Sequence, residues 1–445
     1  MIELKSSAKE IAKDIKGDLI GKDCLIEGIS IDTRENLNGD FCYFAIKGER
    51  YDGHDYIDVA IKNGAKLVVS EKRLSLNIPV IYVENTVKAL GYLAKSRKRK
   101  TKIIGVTGSV GKTTTKDMII SVLREKYKVT GTRENQNNEI GVALTLLSIK
   151  DEDFCIVEMG ARKKGDIEWL TYISEPDVAV ITNCGSSHIE YFGSEQGIFD
   201  EKIKIMSGCK VAIAPKNNQF CNHNYGETHS VFVGADGYCF FNNIKVNKNK
   251  ISGDIWVENK KVIKLKSQDI SKKAFENALF AFVIGKLYGI SDYKIRNGIK
   301  KCKRTKLRTE VIKAKGAIII NDTYNASYES TIASIDMLYE YGKKYKRIKI
   351  AVFGDMLELG EKSSEYHRNV GKHCKIRGID EIYTLGIYGM DIIQGCGNGR
   401  YFNSKDELIN ELLKIKLKNK IMLFKASRKL GFEKIVEVLK EKLNG

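Results

Sequence analysis

The sequence predicts an α/β protein of three domains with a central P-loop doubly wound parallel sheet, a small N-terminal α/β domain and a C-terminal Rossmann-like α/β domain. Three observations carry this. Strand-like apolar runs alternate with helical stretches in two separate parts of the chain; a glycine-bearing loop joins one such strand to a helix; and a set of short β-like runs with glycine turns precedes both. At 445 residues and 42% hydrophobic content the chain is long enough for two to four domains, each with its own core. The boundaries are placed at 1–98, 99–308 and 309–445.

In the first segment the β-like runs are Leu25–Ile31, Phe41–Ala45, Lys66–Val69 and Val80–Val83. From Lys102 the alternation reads strand Ile103–Thr107, a helix after Lys112, strand Phe154–Met159, a helix through Ile167–Ile173 and strand Val178–Thr182. Such alternation predicts a parallel sheet covered on both faces. Residues 228–266 read as an antiparallel patch that leads into one helix, Ser271–Tyr288. After Arg308 the alternation restarts: Ile318–Asn321, a helix through Ile332–Tyr341, Ile348–Phe353, a helix after Ser363, Ile382–Leu385, Ile421–Phe424 and a closing helix from Phe432.

Composition excludes several classes. The longest apolar stretch, Ala278–Ile290, is broken by Lys286 and is too short to span a bilayer. The N-terminus lacks the basic-then-apolar layout of a signal peptide, so a cytoplasmic protein is expected. None of the ten cysteines sit at C-x-x-C spacing; reduced thiols and no structural metal are expected. Net charge is 75 − 56 = +19, but the lysines are spread along the chain. That spread fits an anionic substrate or a lysine-rich coding habit better than a nucleic-acid partner. The one dense basic run, Lys95–Lys102, has no interleaved aromatics and reads as a solvated linker.

The segment Ile103–Thr115 is a strand, a loop and a helix start. Its specific part is Thr107-Gly108-Ser109-Val110-Gly111-Lys112-Thr113, since Gly105 lies one residue too far from Gly111 for the strict G-x-x-x-x-G-K-T spacing. Glycines let backbone N–H groups turn around phosphates, the helix N-terminus adds positive potential, Lys112 neutralises phosphate and Thr113 offers a hydroxyl to Mg²⁺. Gly108, Ser109, Val110, Gly111, Lys112, Thr113 and Thr114 are therefore the expected nucleotide contacts. A nucleotide site alone does not choose among hydrolase, kinase and ligase. Two further strands deliver polar groups at their C-terminal ends, where α/β sheets place ligands: Glu158, a candidate for Mg²⁺, and the loop Asn183–His188.

This combination resembles the Mur ligase family over essentially the whole chain. The family pattern T-G-[ST]-x-G-K-T, an asparagine-rich loop, a glutamate after a strand and N-x-G-x-x-H is matched by Thr107–Thr113, Asn135-Gln136-Asn137-Asn138, Glu158 and Asn183–His188. The resemblance implies a lysine that is carbamylated to hold a second Mg²⁺. It falls at Lys202, although Ile203-Lys204 depart from the usual K-G-E-I. It implies an adenine-side asparagine at Asn277, with Lys273-Ala274 in place of the common H-N pair. It further implies an arginine reaching the phosphates at Arg308, and a ribose-binding aspartate at Asp322. The implied catalytic set is Lys112, Glu158, His188, Lys202 and Arg308, with Thr113, Glu158, His188 and carbamylated Lys202 as metal ligands.

Within the family, two stretches resemble the dipeptide-adding branch. Ile31-Asp32-Thr33-Arg34, with Phe44–Gly48 and Asp52-Gly53-His54, is similar to the domain that holds the uridine nucleotide, and Val352–Gly360, followed by His367, looks like the G-D-M-x-E-L-G signature. The resemblance thus implies substrate contacts at Asp32, Thr33, Arg34, Lys47, Gly48, Asn135, Asn138, Asn325 and Ser427. Two segments depart from it: Tyr324-Asn325-Ala326-Ser327-Tyr328 replaces Y-N-A-N-P, and Lys425-Ala426-Ser427-Arg428 replaces K-G-S-R. The implied activity is an ATP-dependent amide ligation through an acyl phosphate. It would join a D-Ala-D-Ala-like dipeptide to a UDP-linked muramoyl peptide in peptidoglycan precursor synthesis, with a monomeric enzyme. The alternatives are a similar ligase with another acceptor or amine, such as a pseudomurein or tailoring amide ligase, and a nucleotide-binding switch without ligation.

Overall fold

The computed structural model describes the chain except residues 36–38, 49, 98–99, 248–249, 268–271, 303–306, 315 and 445. The first predicted boundary, part of the basic run, the start of the helix predicted from Ser271, and Lys306 lie outside the described residues.

The N-terminal sheet has the order Ile2–Ser7, Leu25–Ser30, Phe41–Phe44, Ala65–Ser70, Val80–Tyr82, Asp18–Ile20. Its four middle strands are parallel and its two outer ones antiparallel. Phe41–Phe44 is buried throughout, as a central strand covered on both faces must be. Ser7 starts the first helix, Ala8–Ile15, through a capping box with Glu10.

The central sheet has nine strands in the order Lys260–Ser267, Lys250–Val257, Cys239–Asn247, His229–Val233, Val211–Pro215, Val178–Ile181, Lys102–Thr107, Phe154–Glu158, Val129–Gly131. The predicted antiparallel patch is corrected here at its start. His229–Val233 pairs parallel with Val211–Pro215 and extends the doubly wound sheet, so only the last three strands form the meander. The reason is the crossover through Asn218–Cys221, which returns the chain in the same direction. On the outermost strand Lys264 and Lys266 point to solvent, which blocks edge-to-edge pairing. The single helix predicted over Ser271–Tyr288 is two, Lys272–Glu276 and Ala278–Leu287, parted at Asn277. Ala278–Gly285 is buried on every side, which explains an apolar run with no polar face.

The C-terminal sheet runs Glu310–Ala314, Ala317–Asp322, Lys420–Lys425, Ile348–Phe353, Glu381–Leu385, Arg400–Phe402, parallel except for the first pair. Separate cores per domain describe only part of the packing. The largest apolar cluster runs continuously from Ile11 and Leu90 through Ile167 and Ile181 to Ile320 and Leu423, and smaller clusters fill the other faces.

The helix Thr86–Ser96 fixes the N-terminal domain to the central one. Tyr92 meets Trp169 edge-on at 5.4 Å, and Lys95 Nζ donates to Tyr172 O at 2.8 Å and pairs with Glu175 at 2.7 Å. Through Lys95 the described start of the basic run is a contact between domains rather than a solvated linker, and Arg97 pairs within the N-terminal domain with Asp14 at 3.0 Å. Among the described residues no helix is long and apolar enough to cross a membrane.

Candidate active site

The strand Lys102–Thr107 and the helix Lys112–Leu123 deliver the loop between them to the C-terminal edge of the central sheet. Gly108 and Gly111 hold φ of +146° and +87°, values that side chains rarely adopt. A Cβ on Gly108 would lie 2.0 Å from Thr182 Oγ1, and one on Gly111 would lie 2.6 Å from Asn277 Nδ2. Asn277, at the helix break, is thereby pressed onto the phosphate loop. Lys112 Nζ donates to Gly108 O at 2.7 Å and to Ser109 O at 3.4 Å. Burial, reinforced by the nearby positive charges of Lys202 and Arg308 and opposed by Glu158, pushes its pKa down to about 8.

Two buried oxygens beside this loop have no hydrogen-bond partner among the described residues. Thr113 is 2% exposed and its Oγ1 has no hydrogen-bond partner; Glu158 is 1% exposed and its Oε2 has none. Orphaned oxygens in such a place fit a hard cation that takes oxygen ligands. Glu158 Oε1 accepts from Asn137 Nδ2 at 2.9 Å, and Lys116 Nζ stands 3.9 Å from Oε2. Asn137 and Lys116 were both missed as site residues. Asn137 is legible only as one of four polar residues in its loop, and Lys116 falls one helical turn after Lys112. Asn138 caps the helix Glu139–Leu147 through Gly141 N, while Asn135 is exposed.

The loop Asn183–His188 closes over the phosphate loop. Val110 N donates to Asn183 Oδ1 at 2.8 Å, Gly185 N donates to Ser109 Oγ at 2.9 Å, and Thr182 Oγ1 donates to Val110 O at 2.6 Å. His188 has φ +66°, and its Nδ1 lies 2.5 Å from Glu358 Oε2 of the C-terminal domain. Ser186 N donates to Glu329 Oε1 at 2.6 Å, a second contact to that domain. Lys202, at the end of helix Glu195–Lys202, is 2% exposed, and no carboxylate of the described residues lies within ion-pair distance. Burial lowers its pKa. Its neighbour Lys204 instead pairs at the surface with Glu168 at 3.0 Å and Glu201 at 3.3 Å. Of the two lysines, geometry therefore singles out Lys202.

At the junction with the C-terminal domain, Arg308 lies with its guanidinium 4.0 Å from the Tyr324 ring centroid, and its buried Nε has no hydrogen-bond partner among the described residues. Arg428 approaches the same ring at 5.8 Å. Asp322 accepts from Lys425 Nζ at 2.5 Å, Ser334 Oγ at 2.6 Å and Thr309 N at 3.0 Å. Lys425 also donates to the carbonyl of the exposed Asn325 at 2.9 Å. Ser427 Oγ accepts from Leu357 N at 2.9 Å. The signature Gly354–Gly360 divides its labour. Asp355 receives the amides of Ile387 and Tyr388, and His367 Nε2 accepts from Met356 N at 2.9 Å while Nδ1 meets Ser363 O at 2.6 Å. Those two residues hold the fold, and Glu358 is the one that reaches the central domain.

In the N-terminal domain Asp32 binds Arg34 by two side-chain contacts, 2.9 and 2.6 Å, and these push its pKa down to about 2. Arg34 is otherwise 89% exposed, Thr33 is half-buried, and Lys47 and Gly48 lie exposed in the turn closed by Asp52.

Family models match the chain in three consecutive pieces: the Mur ligase family catalytic domain over residues 25–105, the Mur ligase middle domain over 106–285 and the Mur ligase glutamate ligase domain over 307–428. A three-domain chain with a phosphate loop roofed by an asparagine-to-histidine loop belongs to the Mur ligase family. Within it, the chain is 34% identical to the UDP-N-acetylmuramoyl-tripeptide--D-alanyl-D-alanine ligase of Bacillus subtilis (strain 168), over 98% of this chain and 99% of that one. The fold matches the crystal structure of MurF from Acinetobacter baumannii with a TM-score of 0.90 at 26% identity, covering 99% and 100% of the two chains. It also matches MurF ligase from Thermotoga maritima in complex with ADP, with a TM-score of 0.83 at 28% identity over 94% and 97%.

Proposed function

We propose that this chain is an ATP-dependent peptide ligase that adds D-alanyl-D-alanine to UDP-N-acetylmuramoyl-tripeptide through an acyl phosphate, in peptidoglycan precursor synthesis. The observation that carries the reading is the near-full-length match to a ligase of that name, 34% identical over 98% of the chain.

The chain's own groups fit the chemistry. Lys112, now satisfied by loop carbonyls, turns to the phosphates of ATP, whose charge favours its ammonium form. Loop amides from Gly108 to Thr114 cradle the phosphates, Asn277 borders the base, and Arg308 and Asp322 approach from the C-terminal side, Arg308 to phosphate and Asp322 to ribose. Thr113, Glu158 and His188 are the groups that would hold Mg²⁺, which when bound neutralises charge on the transferring phosphoryl group. The terminal carboxylate of the muramoyl peptide attacks the γ-phosphorus, and the amine then displaces phosphate from the acyl carbon; positioning supplies most of the gain.

Lys202 is proposed to be carbamylated as a ligand to a second Mg²⁺. Lys202 is buried, burial lowers its pKa, and no carboxylate of the described residues lies within ion-pair distance, which favours an amine free to react with CO₂ over one held in an ion pair. Asp32, Thr33, Arg34, Lys47 and Gly48 are proposed to hold the uridine nucleotide, Asn135 and Asn138 the acyl substrate, and Asn325 and Ser427 the dipeptide. A phosphate-release screen tests the reading: UDP-muramoyl tripeptide is offered with D-Ala-D-Ala, single amino acids and other dipeptides. Release that requires both the tripeptide and D-Ala-D-Ala is expected, and release with a different amine only would overturn the assignment of the dipeptide.

A further inference from the structure

Glu329 opens the helix Tyr328–Tyr345, directly after the Tyr324–Tyr328 segment in which this chain departs from the family pattern. Its carboxylate crosses to the central domain. Oε1 accepts from Ser186 N at 2.6 Å, while Oε2 is buried and has no hydrogen-bond partner among the described residues. Gly185 makes the crossing feasible, because a Cβ there would lie 2.7 Å from the carboxylate carbon. Beside it, Ser187 is 8% exposed and its Oγ is also buried without a partner. The same loop touches the phosphate loop through Ser109, so the carboxylate stands on the side of the site where phosphate is transferred.

A buried carboxylate oxygen without a donor is unfavourable unless a cation or donor arrives. The reaction brings one such cation from solution, the α-ammonium of the incoming dipeptide. We infer that Glu329 receives this ammonium at Oε2 and takes one of its protons. The inference rests on the ligase reading above. The proton balance closes: R–NH₃⁺ and the carboxylate become R–NH₂ and the carboxylic acid. The amine nitrogen then forms the C–N bond as the acyl C–O bond to phosphate breaks, and the second amine proton leaves with the departing phosphate. Glu329 returns its proton to water. A role limited to holding the domains together would need only the bond from Ser186 N and would leave Oε2 without purpose.

Glu329→Gln separates the two, since the amide oxygen keeps the bond from Ser186 N and the negative charge is lost. Steady-state kinetics of the full chain should show KM for D-Ala-D-Ala raised at least tenfold, with KM for ATP and for UDP-muramoyl tripeptide within twofold of the parent. Propionyl-D-alanine, the dipeptide without its amino group, should inhibit parent and variant with the same constant. ATP–ADP isotope exchange dependent on the tripeptide but run without amine should stay at the parent level. The inference is overturned if KM for the dipeptide stays within twofold, if inhibition by propionyl-D-alanine weakens in parallel, or if the exchange falls as well. A parent enzyme that releases no phosphate with D-Ala-D-Ala would instead overturn the ligase reading.

Discussion

Lys202 shows what a single residue reveals before and after folding. In the sequence it is a helix lysine near another lysine; in the structure it is buried with no ion pair among the described residues, and Lys204 is spent on the exposed Glu168 and the buried Glu201. Lys202→Ala is expected to reduce phosphate release by at least a hundredfold, with partial rescue by a small carboxylate such as acetate. Full activity in the variant would remove Lys202 from the mechanism. His367 makes the opposite point, for its place beside a signature motif concealed a structural role. Burial holds its pKa below the usual 6.5, opposed by the hydrogen bond to the Ser363 carbonyl and by the charges of Asp355 and Asp391. With the folded pKa depressed, the unfolded chain binds more protons as pH falls through 6.5, so folded stability declines over that window. Protonation would also remove the acceptor that Met356 N uses. Denaturant titrations at pH 7.5 and pH 5.5 are expected to show a lower midpoint at pH 5.5, and the difference should shrink in His367→Gln. The phosphate loop was legible as a strand, a loop and a helix start because it is one continuous segment. Asn137, Lys116, Glu329 and Tyr324 were not, since each acts on a partner on a different element or turn and sequence spacing does not encode that meeting.

At the scale of elements, the strands read from the alternating runs match to within a residue at each end, because apolar periodicity fixes which face is buried, whereas the helix read through Ile332–Tyr341 runs from Tyr328 to Tyr345. The exceptions have physical causes. His229–Val233 takes its direction from the crossover before it, which no property of its own side chains records, and the break at Asn277 reflects contact with Gly111 on another element. That contact predicts the effect of Gly111→Ala. A Cβ 2.6 Å from Asn277 Nδ2, at φ +87°, is expected to lower nucleotide affinity at least tenfold by calorimetry, with about 1–2 kcal/mol of backbone strain. The helix Thr86–Ser96 carries a comparable close approach, since a Cβ on Gly91 would lie 2.6 Å from Trp169 Cζ2. Gly91→Ala should cost about 1–3 kcal/mol through overpacking between the first two domains, seen as a lower Tm.

Over the whole molecule, the domain count follows from pattern, whereas the continuous core linking the domains does not, since it is assembled from residues hundreds of positions apart. The C-terminal domain meets the central one through Glu358 on His188 and Glu329 on Ser186. Both contacts end on the loop that also touches the phosphate loop. One short segment therefore links the phosphate loop to the C-terminal domain. Glu358→Ala is expected to raise the radius of gyration of the free protein in solution scattering, and addition of an ATP analogue with UDP-muramoyl tripeptide should restore compaction. An unchanged radius in both conditions would argue that these contacts do not set the domain arrangement.

Gly185 has a consequence for chimeras and for drift among relatives. Its missing side chain is the space that the carboxylate of Glu329 fills from another domain, so substitutions at the two positions are expected to be coupled rather than additive. A larger residue at 185 is compatible only with a shorter one at 329. A C-terminal domain transplanted from a related ligase would have to bring its own version of the 183–188 loop, and a graft that ignored this pairing would fold as two sound halves that fail to meet.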